Sequence, residues 1–314
     1  MEQLLSKRDF LSVDDISGDE LVALLDGADR HKADRRPRAT LAGRTVALIF
    51  EKPSTRTRVS FEVAVHELGG YPLPLSGAEL QLGRGETMED TAAVLSRYVH
   101  AIVLRTFAQE NLERLARAGT VPVVNALSDY SHPCQALADL QTIRERKGRL
   151  AGLRLAYLGD GNNVAHSLLF AGAKAGMHVT VATPSGYEPI PQVVRRATEI
   201  AARTGGSIEL SHDPATAAKG ADVVYTDVWA SMGQELEHGE RALIFKPYQL
   251  SADTLAAASA DVVVLHCLPA HRGEEIATEV MDGPNSAVFD QAENRLHTQK
   301  ALLSWLLTGS ADPQ

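Results

Sequence analysis

Short, nearly uninterrupted apolar runs alternate with longer stretches of helical periodicity along most of the chain. In the first half, Thr45–Phe50, Ala101–Arg105 and Val121–Asn125 read as strands. In the second half, Arg154–Leu158, His178–Ala182, Ser207–Ser211, Val223–Thr226 and Val262–His266 read the same way. Between them, Val59–Leu68, Thr87–Tyr98, Cys134–Arg146 and Gln192–Thr204 carry amphipathic helical spacing. Strands that are apolar on both faces and separated by helices predict parallel sheets covered on each side. The expected fold class is α/β with two domains, each a mainly parallel sheet flanked by helices, and the active site in the interdomain cleft.

Cys134–Arg146 reads as a long helix that stops at Lys147-Gly148-Arg149. A new strand–loop–helix series begins at Leu153. The expected division is therefore 1–133 for the first domain and 134–290 for the second, which takes in the connecting helix. The final helix, Gln291–Leu307, lies within 291–314, a segment expected to pack back on the first domain.

Ligands of open α/β sheets bind beyond the carboxyl ends of the strands. The chemically unusual segments all follow strands: Glu51–Arg58, the residues after Asn125, Gly159–Asn163, Asp227–Gly233 and Cys267–Gly273. Their equivalent positions point to one ligand cleft.

Composition narrows the classes of partner. A chain of 314 residues suits two domains, and a net charge of −9 argues against nucleic acid. A few converging arginines can still hold an anionic substrate on an acidic protein. Two cysteines, Cys134 and Cys267, are too few for a disulfide framework. The first residues lack the apolar core of a secretory signal, and no apolar run reaches spanning length. The expectation is a cytoplasmic protein with no membrane partner.

Lys52-Pro53-Ser54-Thr55-Arg56-Thr57-Arg58 runs from a strand into a helix. Ser54 or Thr55 could cap that helix, and its free N–H groups form an anion site to which hydroxyls and guanidinium groups add donors. Arg56 and Arg58 cannot both enter one small site, so one is expected to serve structure or a neighbouring subunit. No Walker sequence occurs.

His132-Pro133-Cys134-Gln135 opens the connecting helix, with proline suited to its first turn. A neutral imidazole there could polarise a carbonyl oxygen, and the glutamine could bind an amide. In His266-Cys267-Leu268-Pro269-Ala270-His271-Arg272-Gly273, adjacent His266 and Cys267 would alternate faces at a strand end, which disfavours zinc. Cys267 reads either as a nucleophile or as a pocket residue whose neighbouring carbonyls orient substrate.

Gly159-Asp160-Gly161-Asn162-Asn163-Val164 imitates a dinucleotide fingerprint, but valine replaces the third glycine. Thr183-Pro184 stands where the acidic ribose ligand should be, so NAD is not expected. Asn163 reads as a ligand anchor or a helix cap. Asp227 and Ser231, before Met232-Gly233, could hold an ammonium and a carboxylate, or form only a turn.

Together, Ser54-Thr55-Arg56-Thr57-Arg58, His132-Pro133-Cys134-Gln135 and His266-Cys267-Leu268-Pro269 make the chain resemble the aspartate/ornithine carbamoyltransferase family over its whole length. Asp227 with Ser231-Met232-Gly233, and the His-Cys-Leu-Pro segment, are similar to its ornithine branch. The resemblance implies carbamoyl-phosphate contacts from Ser54, Thr55, Arg56, Thr57, Gln81, Arg105, His132, Pro133, Cys134, Gln135, Cys267, Leu268 and Arg295. It implies ornithine contacts from Asn163, Asp227, Ser231 and Met232, and catalytic roles for Arg56, Arg105, His132, Asp227 and Cys267. It also implies direct amine attack without metal or cofactor, and a homotrimer or multiple of trimers. The pathway expected from it is arginine synthesis, with arginine breakdown as the alternative. Leu265, where the ornithine branch often has methionine, is a departure that bears on packing. Weighed against this are another amine acceptor, an NAD-dependent oxidoreductase and a non-catalytic carbamoyl-phosphate binder.

Overall fold

The structure is a computed structural model and describes residues 6–77, 85–230 and 238–312. The chain divides into two compact units. Unit 1 comprises Met1–Gln141 with Glu293–Gln314, and unit 2 comprises Thr142–Ala292. Gln81, Ser231, Met232 and Gly233 lie outside the described residues.

Unit 1 runs α1 (Gly18–Ala33), β1 (Thr45–Phe50), α2 (Thr55–Glu67), β2 (Tyr71–Ser76), α3 (Met88–Leu95), β3 (Ala101–Arg105), α4 (Gln109–Ala118) and β4 (Val123–Leu127). The next helix, α5 (Pro133–Lys147), contains the division between the units. The sheet is parallel throughout, in the order β2-β1-β3-β4. Val46–Ile49 and all of β3 are buried, as expected for strands packed on both faces.

Unit 2 continues with β5 (Arg154–Leu158), α6 (Asn163–Lys174), β6 (His178–Ala182), α7 (Pro191–Thr204), β7 (Ser207–Ser211), α8 (Pro214–Ala218) and β8 (Val223–Thr226). It closes with α9 (His238–Phe245), α10 (Ala252–Ala257), β9 (Val263–His266), α11 (Thr278–Met281) and the start of α12 (Val288–Thr308), whose remainder belongs to unit 1. Its five strands are also parallel, in the order β7-β6-β5-β8-β9. The α/β expectation and two parallel sheets flanked by helices therefore hold. Among the described residues, no helix is long and apolar enough to cross a membrane.

Topology places one ligand position in each unit. The chain leaves β1 toward β2 on one side and reaches β3 on the other. In unit 2 it leaves β5 toward β6 and later reaches β8 across β5. Such reversals open a crevice at the carboxyl ends of the two diverging strands. In unit 1 these are the ends of β1 and β3, where Phe50 and Arg105 are in register. In unit 2 they are the ends of β5 and β8, where Leu158 and Thr226 are in register.

Unit 1 also buries a group with a measurable cost in acid. His31 on α1 has no exposed surface, and Lys300, Arg38 and His297 lie near it. Burial, reinforced by those cations, lowers its pKa to about 4. The unfolded chain thus takes up the proton first, and stability present above about 6.5 is lost as pH falls toward 4. Urea unfolding should show about 2 kcal/mol less stability at pH 5 than at pH 7 from this group. His31→Leu should remove that increment; an unchanged pH dependence would contradict the assignment.

Candidate active site

In unit 1 the site grows from the first turn of α2. Ser54 is extended at the N-cap and makes no side-chain cap bond, so its hydroxyl is not spent on the helix. The first helical backbone bond is Arg58 N to Ser54 O, which leaves the N–H groups of the preceding turn directed outward. Thr55 and Arg56 are exposed there, whereas Thr57 is buried. Arg58 donates to Glu62 one turn on, 2.7 Å away, so it is the arginine tied to its own helix.

Arg105 ends β3 and is buried. Beside it, Glu51 N donates to Arg105 O at 3.0 Å, and Thr106 donates to the Glu51 carboxylate. The loop from β4 to α5 is held from inside. Asn125 Nδ2 donates to Leu11 O at 2.9 Å, and Ser128 N donates to Ser131 O at 2.9 Å. That scaffold delivers His132 and Gln135, both buried, at the start of α5. Burial, then the charges of Arg295, Arg105 and Arg56, hold the His132 pKa well below its usual value. At neutral pH it is an uncharged imidazole, which keeps one donor and one acceptor nitrogen.

Arg295 joins elements distant in sequence. Its guanidinium donates to Gln135 Oε1 at 2.8 Å and to Thr57 Oγ1 at 2.5 Å, while Gln135 Nε2 donates to Asp139 Oδ1 at 2.8 Å. The Cys134 thiol is engaged by the β4 backbone instead: it is buried, donates to Asn125 O at 3.4 Å, and has its pKa pushed up to about 12 by burial. The Cys134 thiol therefore serves packing, and a ligand at this helix start would meet backbone of Pro133 and Cys134 instead.

In unit 2, Asp227 follows β8 and is buried. Its Oδ1 accepts from the Cys267 thiol at 2.9 Å, and its Oδ2 accepts from Asn162 Nδ2 at 2.9 Å. Cys267 follows β9, and the Leu268-Pro269 peptide after it is cis. Leu268 has φ +62°, a left-handed conformation uncommon for a side chain of its size. His266 Nδ1 accepts from Leu268 N at 2.9 Å, so Nε2 carries the proton and donates to Glu275 Oε1 at 3.0 Å. Asp227, His266 and Cys267 have ligand atoms close enough for a metal, as do His271, Glu274 and Glu275. Both His266 nitrogens are nevertheless engaged by protein.

The nucleotide-like glycine loop has its own explanation. Gly161 N donates to Tyr187 O at 2.9 Å, and a Cβ at Gly161 would lie 2.3 Å from Pro189 N. The close approach that glycine permits is taken by this chain's own backbone. Helix α6 is capped by Asn162, leaving Asn163 in the first turn. Behind the loop, buried Arg241 donates to Asp160 and to Trp229 O and packs over Tyr187 and Phe245. Burial raises the Asp160 pKa to about 6 against the opposing pull of Arg241.

The structure thus gathers Thr57, Gln135 and Arg295, with His132 under the influence of Arg56, Arg105 and Arg295. Separately it gathers Asp227 and Cys267, with Asn163 beside the residue that bonds Asp227. Sequence reasoning missed Asn162, Asp139, Glu275 as the partner of His266, and Arg241. Only Asn162 carried a local signal, as a cap residue directly before a helix.

Comparisons with known proteins agree in both halves. Residues 8–145 match the family described as aspartate/ornithine carbamoyltransferase, carbamoyl-P binding domain. Residues 151–306 match its Asp/Orn binding domain. The chain is similar to an ornithine carbamoyltransferase of Parafrankia sp. (strain EAN1pec), with 66% identity covering 96% of this chain and 97% of that one. A Pyrococcus furiosus relative named "Ornithine carbamoyltransferase, anabolic" is 55% identical, covering 97% and 98%. The solved structure of ornithine carbamoyltransferase from that organism superposes with a TM-score of 0.94 at 56% identity, covering 97% of this chain and 98% of that chain.

Proposed function

The chain belongs to the aspartate/ornithine carbamoyltransferase family, and from that premise we propose that it converts carbamoyl phosphate and L-ornithine to L-citrulline and phosphate in arginine biosynthesis. The observation that carries the reading is Arg295 bonded to both Thr57 and Gln135. It joins the post-β1 helix start, the His-Pro-Cys-Gln helix and the final helix, which supports reading them as one anion site. The relative named anabolic supports the biosynthetic direction.

In this proposal the α2 N–H groups, with Ser54, Thr55, Arg56, Thr57 and Arg295, hold the phosphate. Arg105 and the neutral His132 donate to the carbamoyl oxygen, where negative charge grows as the amine attacks. Gln135, the Pro133–Cys134 backbone, Cys267 and Leu268 orient the carbamoyl group. Asp227 pairs with the acceptor's δ-ammonium and Asn163 anchors its other end. Gln81, Ser231 and Met232 belong to the proposal on resemblance alone.

The δ-nitrogen must lose a proton before it attacks. An amine of pKa about 10.4 costs roughly 4–5 kcal/mol to deprotonate at pH 7. Ordering both substrates for attack offsets much of that cost. The nitrogen lone pair then forms the C–N bond as the C–O bond to phosphate breaks; phosphate leaves with the electron pair and takes up the proton that the attacking nitrogen sheds. Asp227 and Cys267, already joined by a hydrogen bond, orient the amine for this step. The family resemblance extends the proposal to a homotrimer or multiple of trimers in the cytoplasm.

The test is colorimetric citrulline production from carbamoyl phosphate with ornithine, set beside aspartate, putrescine and N-acetylornithine. Ornithine should give the highest kcat/KM by a wide margin. Preference for another amine would overturn the acceptor and leave the family standing.

A further inference from the structure

Asn162 meets two demands with the two ends of one amide. Its Oδ1 accepts from Val164 N at 2.9 Å and from Ala165 N at 3.2 Å, capping α6. Those N–H donors require the oxygen to face the helix, which fixes the orientation of the amide. The nitrogen is thereby aimed at Asp227, and Nδ2 donates to Asp227 Oδ2 at 2.9 Å. The other carboxylate oxygen accepts from Cys267. Two donors from different elements, the β5–α6 turn and the end of β9, thus fix the plane of a buried carboxylate. A carboxylate has about four lone-pair directions, so two remain for a ligand.

We propose that Asn162 is a positioning residue for the acceptor amine: its amide orients the Asp227 carboxylate toward the δ-ammonium of ornithine while its oxygen caps α6. This rests on the ornithine reading above. Asn162 need not touch ornithine; it acts through Asp227. The arrangement also explains why an asparagine suits this position better than another capping residue. Serine and aspartate cap helices about as well, but neither offers an amide donor. Aspartate would set a second carboxylate against Asp227.

Two variants separate the cap from the positioning. Asn162→Ser keeps a capping oxygen and loses the donor to Asp227. Asn162→Asp keeps the cap and replaces attraction with repulsion. Steady-state kinetics in both substrates, with urea unfolding of each variant, give the readout. Asn162→Ser should raise the ornithine KM by about 10- to 100-fold, the loss expected for a buried hydrogen bond to a charged group. Its carbamoyl-phosphate KM should stay at the wild-type value, and its unfolding midpoint should fall only by the loss of that one bond, since the cap is kept. Asn162→Asp should lose more in ornithine KM and unfold at lower urea than wild type, because a second carboxylate then faces the buried one of Asp227, and it serves alone if the serine variant does not fold.

Wild-type ornithine KM in a folded capping variant would overturn the positioning role. Equal losses for both substrates would overturn it as well, since they would mark a general structural effect. A wild-type chain that makes citrulline beside an unaffected Asn162→Ser overturns only this inference. A wild-type chain inactive on ornithine overturns the reading beneath it too.

Discussion

Arg56→Ala is expected to lower kcat/KM for carbamoyl phosphate by roughly 100- to 1,000-fold, the effect of removing one preorganised donor from developing charge. Arg56 lies in the first turn of α2, where outward N–H groups favour an anion, and its charge acts on His132. Its guanidinium would stabilise the phosphate most strongly as the C–O bond breaks, so kcat should fall along with affinity. Arg58→Ala is the control. That side chain is about half exposed and bonded to Glu62, so an exposed i,i+4 pair is all that is lost. Steady-state kinetics of the two variants should separate them clearly. Equal, small effects would remove Arg56 from the phosphate site.

Asp227→Asn should damage ornithine use and spare carbamoyl phosphate. The substitution keeps the shape but deletes the charge that would pair with the δ-ammonium. It also places an amide NH2 against a donor, because Asn162 Nδ2 and the Cys267 thiol both donate to this carboxylate. With its oxygen toward Asn162, the new amide would have only the Cys267 sulfur, a weak acceptor, to donate to, so one of the two hydrogen bonds is weakened. The expected loss in kcat/KM for ornithine is about 100-fold or more, the scale of breaking a buried charge pair on one side. The carbamoyl-phosphate KM should remain at the wild-type value. Unaltered ornithine kinetics would exclude Asp227 from the acceptor site.

Much of the fold could be read from apolar runs, and the exceptions have physical causes. Thr45–Phe50, Ala101–Arg105 and the four strands from Arg154 to Thr226 were expected and are observed. Strand β2 was not, because Tyr71-Pro72-Leu73-Pro74-Leu75-Ser76 combines two prolines with positions none of which is buried. Among the described residues it lies at a sheet edge and pairs with β1 alone, where prolines two apart can face their missing N–H groups outward. Strand β4 begins at Val123, two residues later than expected, since its start is set by pairing with Ile102 and by Phe10 N donating to Val123 O. Neither partner is visible from local periodicity.

The candidate sites divide in the same way. Ser54 to Arg58 and His132 to Gln135 stood out because their chemistry is local to a strand-to-helix turn. Asn162, Glu275 and Arg241 did not, because each acts on a residue distant in sequence. Glu275 meets His266, Arg241 meets Asp160, and Asn162 meets Asp227. The burial of the Cys134 thiol was likewise hidden, since it follows from packing beside Asn125.

The most direct measurement of carbamoyl transfer to ornithine is the parallel release of phosphate and citrulline from carbamoyl phosphate, with and without ornithine. The account predicts equal amounts of both products, strictly dependent on ornithine. Phosphate released without ornithine, or ornithine consumed without citrulline, would contradict it.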